Sequence, residues 1–139
     1  MRTTAATIHL GRVYDSDLPP GYRVLVDRLW PRGIPKEKAP WDAWWRDLTP
    51  SSELRRWLHG DREARWPEFP LRYRMELDAA PQAAVAEALA ACQRGPVVLL
   101  TAARDPEHSH AAVLRLWLLE RLEESGADGK AQGGQAGAE

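Results

Sequence analysis

The chain has 139 residues, 44% of them hydrophobic, so it is long enough to bury the core of one domain and too short for a second folded domain. Its formal net charge of -1 excludes a protein that binds polyanions through overall positive charge. The single cysteine excludes an intramolecular disulfide, and the lack of a secretory signal or an apolar run of about 20 residues predicts a cytoplasmic protein that does not enter the membrane.

Two strands are predicted near the start of the chain. Apolar and polar side chains alternate from Thr7 to Tyr14, which is typical of a short strand, and the turn residues of DSDLPPG follow. The second strand begins at Arg23 and carries an apolar run over residues 24–26 that suits burial on both faces. Because a turn joins them directly, the sequence favours these two strands as neighbours, in a hairpin if they are antiparallel.

Residues 36–77 contain no strand pattern and are predicted to form a helical insertion rich in tryptophan. Ser51 is placed to cap a helix rather than to act as a nucleophile. Three breakers divide the insertion into short helices: Gly60, Pro67 and Pro70. Three tryptophans at helical spacing are predicted to share one face that packs against the sheet: Trp41, Trp44 and Trp45.

The last part of the chain carries the clearest strand. An Ala-rich helix is predicted from Asp78 to Gly95, with Cys92 buried on it, and the buried strand Val97 to Leu100 follows. Beyond that strand, Asp105 suits an N-cap and is followed by a proline at the first position of the last helix. Residues 125–139 are Gly, Ala and Gln without an apolar anchor, and are predicted to be a disordered tail.

Together these elements predict one α/β domain over residues 1–124. Its expected architecture is a small, mainly parallel sheet of about three to four strands with flanking helices and the Trp-rich insertion. In such sheets polar loops gather at the carboxyl ends of the strands. The loop that begins at Asp27 and the loop that begins at Thr101 are therefore predicted to lie side by side.

The chain contains four blocks in order: LVDRLWPRG from Leu25, PSSELRRW from Pro50, WPEFPLRYRMEL from Trp66 and VVLLTAARDPEHSHAAVL from Val97. Together these blocks resemble the DUF488 family in its YeaO-like subgroup. The family pattern matches at Asp27, Arg28, Trp30, Arg32, Asp105 and His108. The resemblance implies no known activity, and a label carried by some members implies a link to MarR-type regulators.

The loop from Asp27 to Gly33 forms one half of a candidate site. Arg28 and Arg32 carry forked donors that pair with phosphate or carboxylate, and Trp30 between them offers a stacking surface. Asp27, at the end of a strand, is the candidate general base. In the structural alternative, Arg28 pairs with Asp27 or an acid of the insertion, Trp30 closes the core, and the carboxylate anchors the loop.

The loop from Thr101 to His108 forms the other half. The start of the last helix exposes free N–H groups, so Arg104 and the backbone beyond it are candidates to hold an anion together with Asp105. His108 is the candidate proton donor or acceptor, because imidazole titrates near neutral pH. A solvated surface histidine is the alternative.

The sequence predicts no metal site and no cofactor. His108 and His110 lie two residues apart, which places their side chains roughly 200° apart around a helix. The chain also lacks a Cys pair, a metalloprotease motif, a Walker loop and a dinucleotide fingerprint.

The leading hypothesis is a protein that binds a small anionic ligand, phosphorylated or nucleotide-like, between the two polar loops, with acid–base catalysis left open. The alternative is a regulatory module that binds nucleic acid or a protein partner. It is favoured by the family label and by ten Arg and two Lys against eight Asp and Glu between Arg23 and Arg74. A third hypothesis is a structural interaction protein whose charges pair with one another. The sequence decides neither enzymatic activity nor oligomeric state.

Overall fold

Four parallel strands form the centre of the domain. The computed structural model describes residues 6–132, with side chains as far as residue 124. The strands form one sheet in the order β1-β4-β2-β3, and each neighbouring pair is parallel. Their bounds are Ile8–Arg12 for β1, Tyr22–Leu25 for β2, Ala43–Trp44 for β3 and Val97–Thr101 for β4. The predicted small α/β fold with a mainly parallel sheet is confirmed.

The prediction that the first two strands are neighbours is wrong, because β4 lies between them. Leu99 of β4 pairs with Leu10 of β1 on one side and with Val24 of β2 on the other. Every residue of β4 is buried, as expected for a strand covered on both faces. The strand with the most continuous apolar run therefore takes the centre, and the partly exposed β1 lies at an edge.

The insertion contains a short strand that the sequence did not predict. β3 has two residues, which pair with Val24 and Leu25, and two residues are too few to show an alternating pattern. The prediction that the three tryptophans share a helical face is therefore wrong. Trp45 is buried in the core, whereas Trp44 in β3 is 36% exposed.

Residues 6–132 contain five α-helices: α1 Ser52–Gly60, α2 Arg62–Arg65, α3 Phe69–Asp78, α4 Gln82–Arg94 and α5 His110–Gln132. Short 3₁₀ turns lie at Lys36–Lys38, Arg46–Leu48 and Pro106–His108. Ser51 caps α1 as predicted, because its hydroxyl accepts a hydrogen bond from the Leu54 N–H at 3.0 Å. α1 ends at the predicted breaker Gly60.

α5 extends beyond the predicted boundary of the folded domain. It continues through residues 125–132, which belong to the segment predicted to be a disordered tail. A helix that is already formed propagates at low cost, and this stretch contains no proline to stop it. Residues 133–139 lie outside the described residues, and their disorder stays a prediction.

The two faces of the sheet are covered differently. Along β4, Val97 and Leu99 face a core built mainly from α1, α3, α4 and α5, whereas Val98 and Leu100 face a smaller cluster formed largely by loops. Cys92 on α4 is buried, as predicted, and burial raises the pKa of its thiol to about 11. No helix of the described part is long and apolar enough to cross a membrane.

Candidate functional site

A cleft of about 820 Å³ opens at the carboxyl ends of β2 and β4. All seven predicted site residues line it: Asp27, Arg28, Trp30, Arg32, Arg104, Asp105 and His108. The loop after β2 and the loop after β4 lie side by side because the two strands are parallel neighbours. The volume falls in the range of about 300–1,000 Å³ that is usual for small-molecule pockets.

Asp27 ties the two loops together. One oxygen of its carboxylate accepts a hydrogen bond from the Thr101 hydroxyl at 2.7 Å, and the other accepts one from the Ala102 N–H at 2.7 Å. The same hydroxyl accepts a hydrogen bond from the Ala103 N–H at 3.0 Å. The Asp27 carboxylate therefore joins the end of β2 to the end of β4, in agreement with the structural alternative for this residue.

His110 is the third partner of this carboxylate. Its Nε2 atom lies 3.1 Å from the Asp27 Oδ1 and 2.8 Å from the Val26 carbonyl oxygen. Because both of these oxygens are acceptors, Nε2 must carry the hydrogen. The sequence indicated His110 only as a rejected metal ligand. The missed signal is its place at the start of a helix, where side chains lean back toward the strand ends.

The surroundings of Asp27 favour its charged form. Burial acts to raise the pKa, but the hydrogen bond and charge of His110, together with the Ala102 N–H and the Thr101 hydroxyl, lower the pKa below its usual value. Asp27 is therefore an anion in the folded protein near neutral pH, with both oxygens engaged.

Among the residues that the structure describes, the predicted arginines form no ion pairs with carboxylates. The Arg28 Nε donates to the Pro50 carbonyl oxygen at 3.2 Å. Within the described part of the chain, no ion pair joins a carboxylate to Arg28, Arg32 or Arg104. The alternative in which Arg28 pairs with Asp27 or an acid of the insertion is therefore wrong, because Asp27 turns to β4 instead. The guanidinium groups keep free donors at the cleft.

The helical insertion adds residues that sequence reasoning did not assign to the site. Arg55, His59 and Arg62 also line the cleft. One Arg62 guanidinium nitrogen donates to the His108 carbonyl oxygen at 2.7 Å, which joins the insertion to the loop after β4. The arginine-rich block PSSELRRW was the available signal for Arg55, but its sequence alone does not place it against a loop that begins about 45 residues later. His59 and Arg62 lie beyond the end of this block.

Trp30 contacts a backbone carbonyl of its own loop and two tryptophans of the helical insertion. Its indole Nε1–H donates to the Ile34 carbonyl oxygen at 2.5 Å. Its ring meets Trp41 edge-on at 4.8 Å between centroids and Trp44 at 5.8 Å. These contacts fix Trp30 in the loop. Trp30 is half-buried and belongs to neither core cluster of the described residues, so the structure does not agree with the alternative in which Trp30 closes the core.

The helix cap predicted at Asp105 lies elsewhere. Asp105 and the following proline begin a 3₁₀ turn, and the Asp105 side chain makes no capping hydrogen bond. α5 starts later, where the Ser109 hydroxyl accepts a hydrogen bond from the Ala111 N–H at 3.2 Å. The Ser109 hydroxyl also donates to the Pro106 carbonyl oxygen at 2.7 Å. Asp105 is exposed at the rim as a result.

His108 lies at the far end of the same loop, against the insertion. Its ring centroid is 4.6 Å from that of Trp66, and the two planes are tilted by 30°. The residue is exposed to solvent. Across residues 6–124, no three His, Cys, Asp or Glu side chains come together as a metal site.

Comparisons with known proteins agree with the four sequence blocks. A family model described as the inactive DUF488-N3 subclade matches residues 7–135. The chain is 45% identical over 108 residues to the uncharacterized protein Rv3073c of Mycobacterium tuberculosis (strain ATCC 25618 / H37Rv), covering 77% of this chain and 89% of that relative. It is 41% identical over 112 residues to the uncharacterized protein YeaO of Escherichia coli (strain K12), covering 80% and 96%. No solved structure gives a significant match. The predicted DUF488 resemblance is confirmed.

Proposed function

The chain belongs to the inactive DUF488-N3 subclade, and we propose that it is a binding protein that holds a small anionic, phosphorylated ligand in the cleft between its two polar loops. The charge of the cleft carries this proposal. Five arginines line it, against two carboxylates. One of these carboxylates, Asp27, is already engaged by Thr101, Ala102 and His110.

Several guanidinium groups are available to a ligand. Arg32, Arg55 and Arg104 form no ion pair within the described part of the chain. Guanidinium groups bind phosphate oxygens through paired N–H donors, and such charge-assisted hydrogen bonds are about twice as strong as neutral ones. The cleft is concave, so several of these donors can reach one small anion.

Binding without turnover fits the arrangement better than acid–base catalysis. Both oxygens of Asp27 accept hydrogen bonds, and its lowered pKa makes it a weak base. His108 lies beside Trp66 rather than beside the carboxylate. Membership of a subclade described as inactive also favours binding over catalysis. In this proposal Asp27 is a positioning residue.

We also propose a cytoplasmic location, which the free thiol of Cys92 supports.

A regulatory module that binds nucleic acid is the weaker alternative. A duplex is normally held by cations spread along a helix or a face that fits a groove. Here five arginines line a concave cleft, and the net charge of the whole chain is -1. Duplex DNA therefore serves as a comparison ligand in the test below.

Inorganic phosphate is expected to raise the melting temperature of the protein in a saturable way, because a ligand that binds only the folded state stabilises it. Arg104→Ala is expected to weaken this binding by about tenfold, the effect of losing one charge-assisted hydrogen bond of about 1.5 kcal/mol. The measurement is thermal unfolding followed by fluorescence, titrated with phosphate at constant ionic strength.

Arg56→Ala is the matched control, because Arg56 is exposed on the same helix as Arg55 but does not line the cleft. Phosphate also stabilises proteins generally by exclusion from their surfaces, and this part of the effect should be equal in all variants. Equal responses of the wild type and both variants would contradict the proposal. Tighter, salt-sensitive binding of duplex DNA would favour the alternative.

A further inference from the structure

A second, smaller cavity adjoins the arginine-lined cleft. It has a volume of about 400 Å³ and five lining residues: Arg62, Glu63, Trp66, Pro67 and His108. Arg62 and His108 also line the larger cleft, so the two cavities meet at these side chains. One molecule of moderate size can therefore occupy both cavities.

Two of the five residues that line the small cavity, Trp66 and His108, have planar aromatic rings. The His108 ring lies 4.6 Å from the Trp66 ring, and Phe69 stacks on Trp66 at 5.3 Å with an angle of 13° between the planes. The Arg62 guanidinium lies over the Trp66 ring at 4.8 Å. Phe69 is 1% exposed, so the core supports the stack from one side. Because Phe69, His108 and Arg62 already lie against the Trp66 ring, a flat heteroaromatic ring would stack on the exposed His108 side of this cluster. Such stacking needs a π-face and no particular hydrogen-bond pattern.

The stack is also held in position. The Arg62 guanidinium donates to the His108 carbonyl oxygen at 2.7 Å, which connects α2 to the loop after β4. The cavity is thus formed between two segments that are already joined, and a ligand has little to rearrange there. Preorganisation of this kind lowers the entropy cost of binding.

Charge decides which part of a ligand enters which cavity. The small cavity carries one arginine and one glutamate, Arg62 and Glu63, whereas the cleft carries five arginines against two aspartates. A phosphate group is attracted to the cleft and repelled by Glu63. An uncharged ring is favoured beside Trp66 and His108.

We propose that the ligand of this protein is a nucleoside monophosphate, with its phosphate in the arginine-lined cleft and its base in the small cavity against His108 and Trp66. This assignment rests on the proposed function, because it takes the same cleft as the phosphate site. It adds the class of the ligand and a base-binding subsite. The pentose bridges the two cavities near Arg62, where they meet.

Isothermal titration calorimetry with AMP and with ribose 5-phosphate tests the assignment on the full chain. The two compounds share the sugar and the phosphate, so the ratio of their dissociation constants measures the contribution of the base. AMP is expected to bind about tenfold more tightly or better, since stacking of one base on an aromatic side chain contributes about 1–3 kcal/mol.

His108→Ala is expected to weaken AMP binding and leave ribose 5-phosphate binding unchanged, which brings the ratio close to one. Arg104→Ala should weaken both ligands equally, because it acts on the phosphate. Arg56→Ala is the matched control: Arg56 is exposed and lines neither cavity, so both affinities and their ratio should keep their wild-type values. His108 is exposed, so its replacement is expected to leave folding intact, and a melting curve checks this.

The outcomes separate the subsite from the phosphate site. Equal affinity for AMP and ribose 5-phosphate in the wild type would overturn the base subsite and leave the anion cleft standing. A preference for AMP that survives His108→Ala would also overturn it, because the base would then lie elsewhere. Absence of binding by both compounds would overturn the proposed function together with the subsite. Tighter binding of a 5′-phosphorylated oligonucleotide than of AMP would overturn the assignment to a free nucleotide.

Discussion

Asp27→Asn is expected to lower the free energy of unfolding by about 1–3 kcal/mol, the range for leaving a buried hydrogen-bonding group without its partner. The carboxylate receives the Thr101 hydroxyl, the Ala102 N–H and the His110 ring. An amide group offers one acceptor oxygen where the carboxylate offers two, so at least one donor loses its partner. Urea unfolding at neutral pH measures the difference.

The same substitution should remove part of the acid sensitivity of the protein. The pKa of Asp27 is lowered in the folded state, so the carboxylate contributes stability above its unfolded pKa of about 3.9. This contribution is lost as the pH falls through the lower, folded pKa. The wild type should therefore lose stability below about pH 4 more steeply than Asp27→Asn, and the two curves should converge in strong acid.

Asp42→Asn is the matched control for this experiment. Asp42 is an exposed aspartate whose carboxylate accepts one backbone hydrogen bond, from the Arg23 N–H at 2.9 Å. Its replacement is expected to lower the free energy of unfolding by less than about 1 kcal/mol and to leave the loss of stability below about pH 4 unchanged. Equal unfolding midpoints for Asp27→Asn and Asp42→Asn would show that the Asp27 carboxylate does not hold the two loops together.

Gly21→Ala is expected to cost about 2–4 kcal/mol, from a backbone conformation and a steric clash that act together. Gly21 has a φ of 147°, a backbone conformation that residues with a Cβ atom rarely adopt. A Cβ atom placed there would lie 2.8 Å from the Pro96 carbonyl oxygen. That oxygen accepts a hydrogen bond from the Tyr22 N–H at 2.9 Å. It cannot move away without disturbing the register of β2 on β4, and thus the geometry of the cleft.

Gly95→Ala is a close control because Gly95 lies directly before Pro96. Its φ of 164° is extended backbone that any residue adopts, and an added Cβ would meet nothing within 4 Å. Alanine at this position is expected to raise the free energy of unfolding by less than about 1 kcal/mol, because it reduces the conformational entropy of the unfolded chain. Urea unfolding of the two variants should differ clearly, and equal costs would contradict the described approach of Gly21 to the strand.

Local composition was enough to predict the elements that are long or strongly patterned. The apolar run of β4, the helix that ends before Gly95 and the cap at Ser51 all appear where the sequence indicated them. β3 was missed because two residues carry no period. The order of the strands was missed because the pairing of β1 with β4 joins distant segments, and only tertiary packing decides it.

The sequence likewise predicted part of the candidate site and missed the contacts that depend on tertiary packing. Polar residues directly after buried strands were predictable, since parallel topology brings the strand ends to one edge, and Asp27 and Arg104 both line the cleft. The partners inside the site were not predictable. His110 reaches the carboxylate from a helix, and Arg62 reaches the His108 carbonyl from the insertion. Both contacts depend on how separate elements pack against one another.

Titration of the isotopically labelled protein with inorganic phosphate, followed by NMR, tests the central claim most directly. The claim is that one small anion is bound by the guanidinium groups of both loops. Chemical-shift changes are expected at the Nε–H of Arg32 and Arg104 and at the amides of residues 102–105, with one saturating affinity for both loops. Shift changes confined to another surface, or different affinities at the two loops, would contradict the claim.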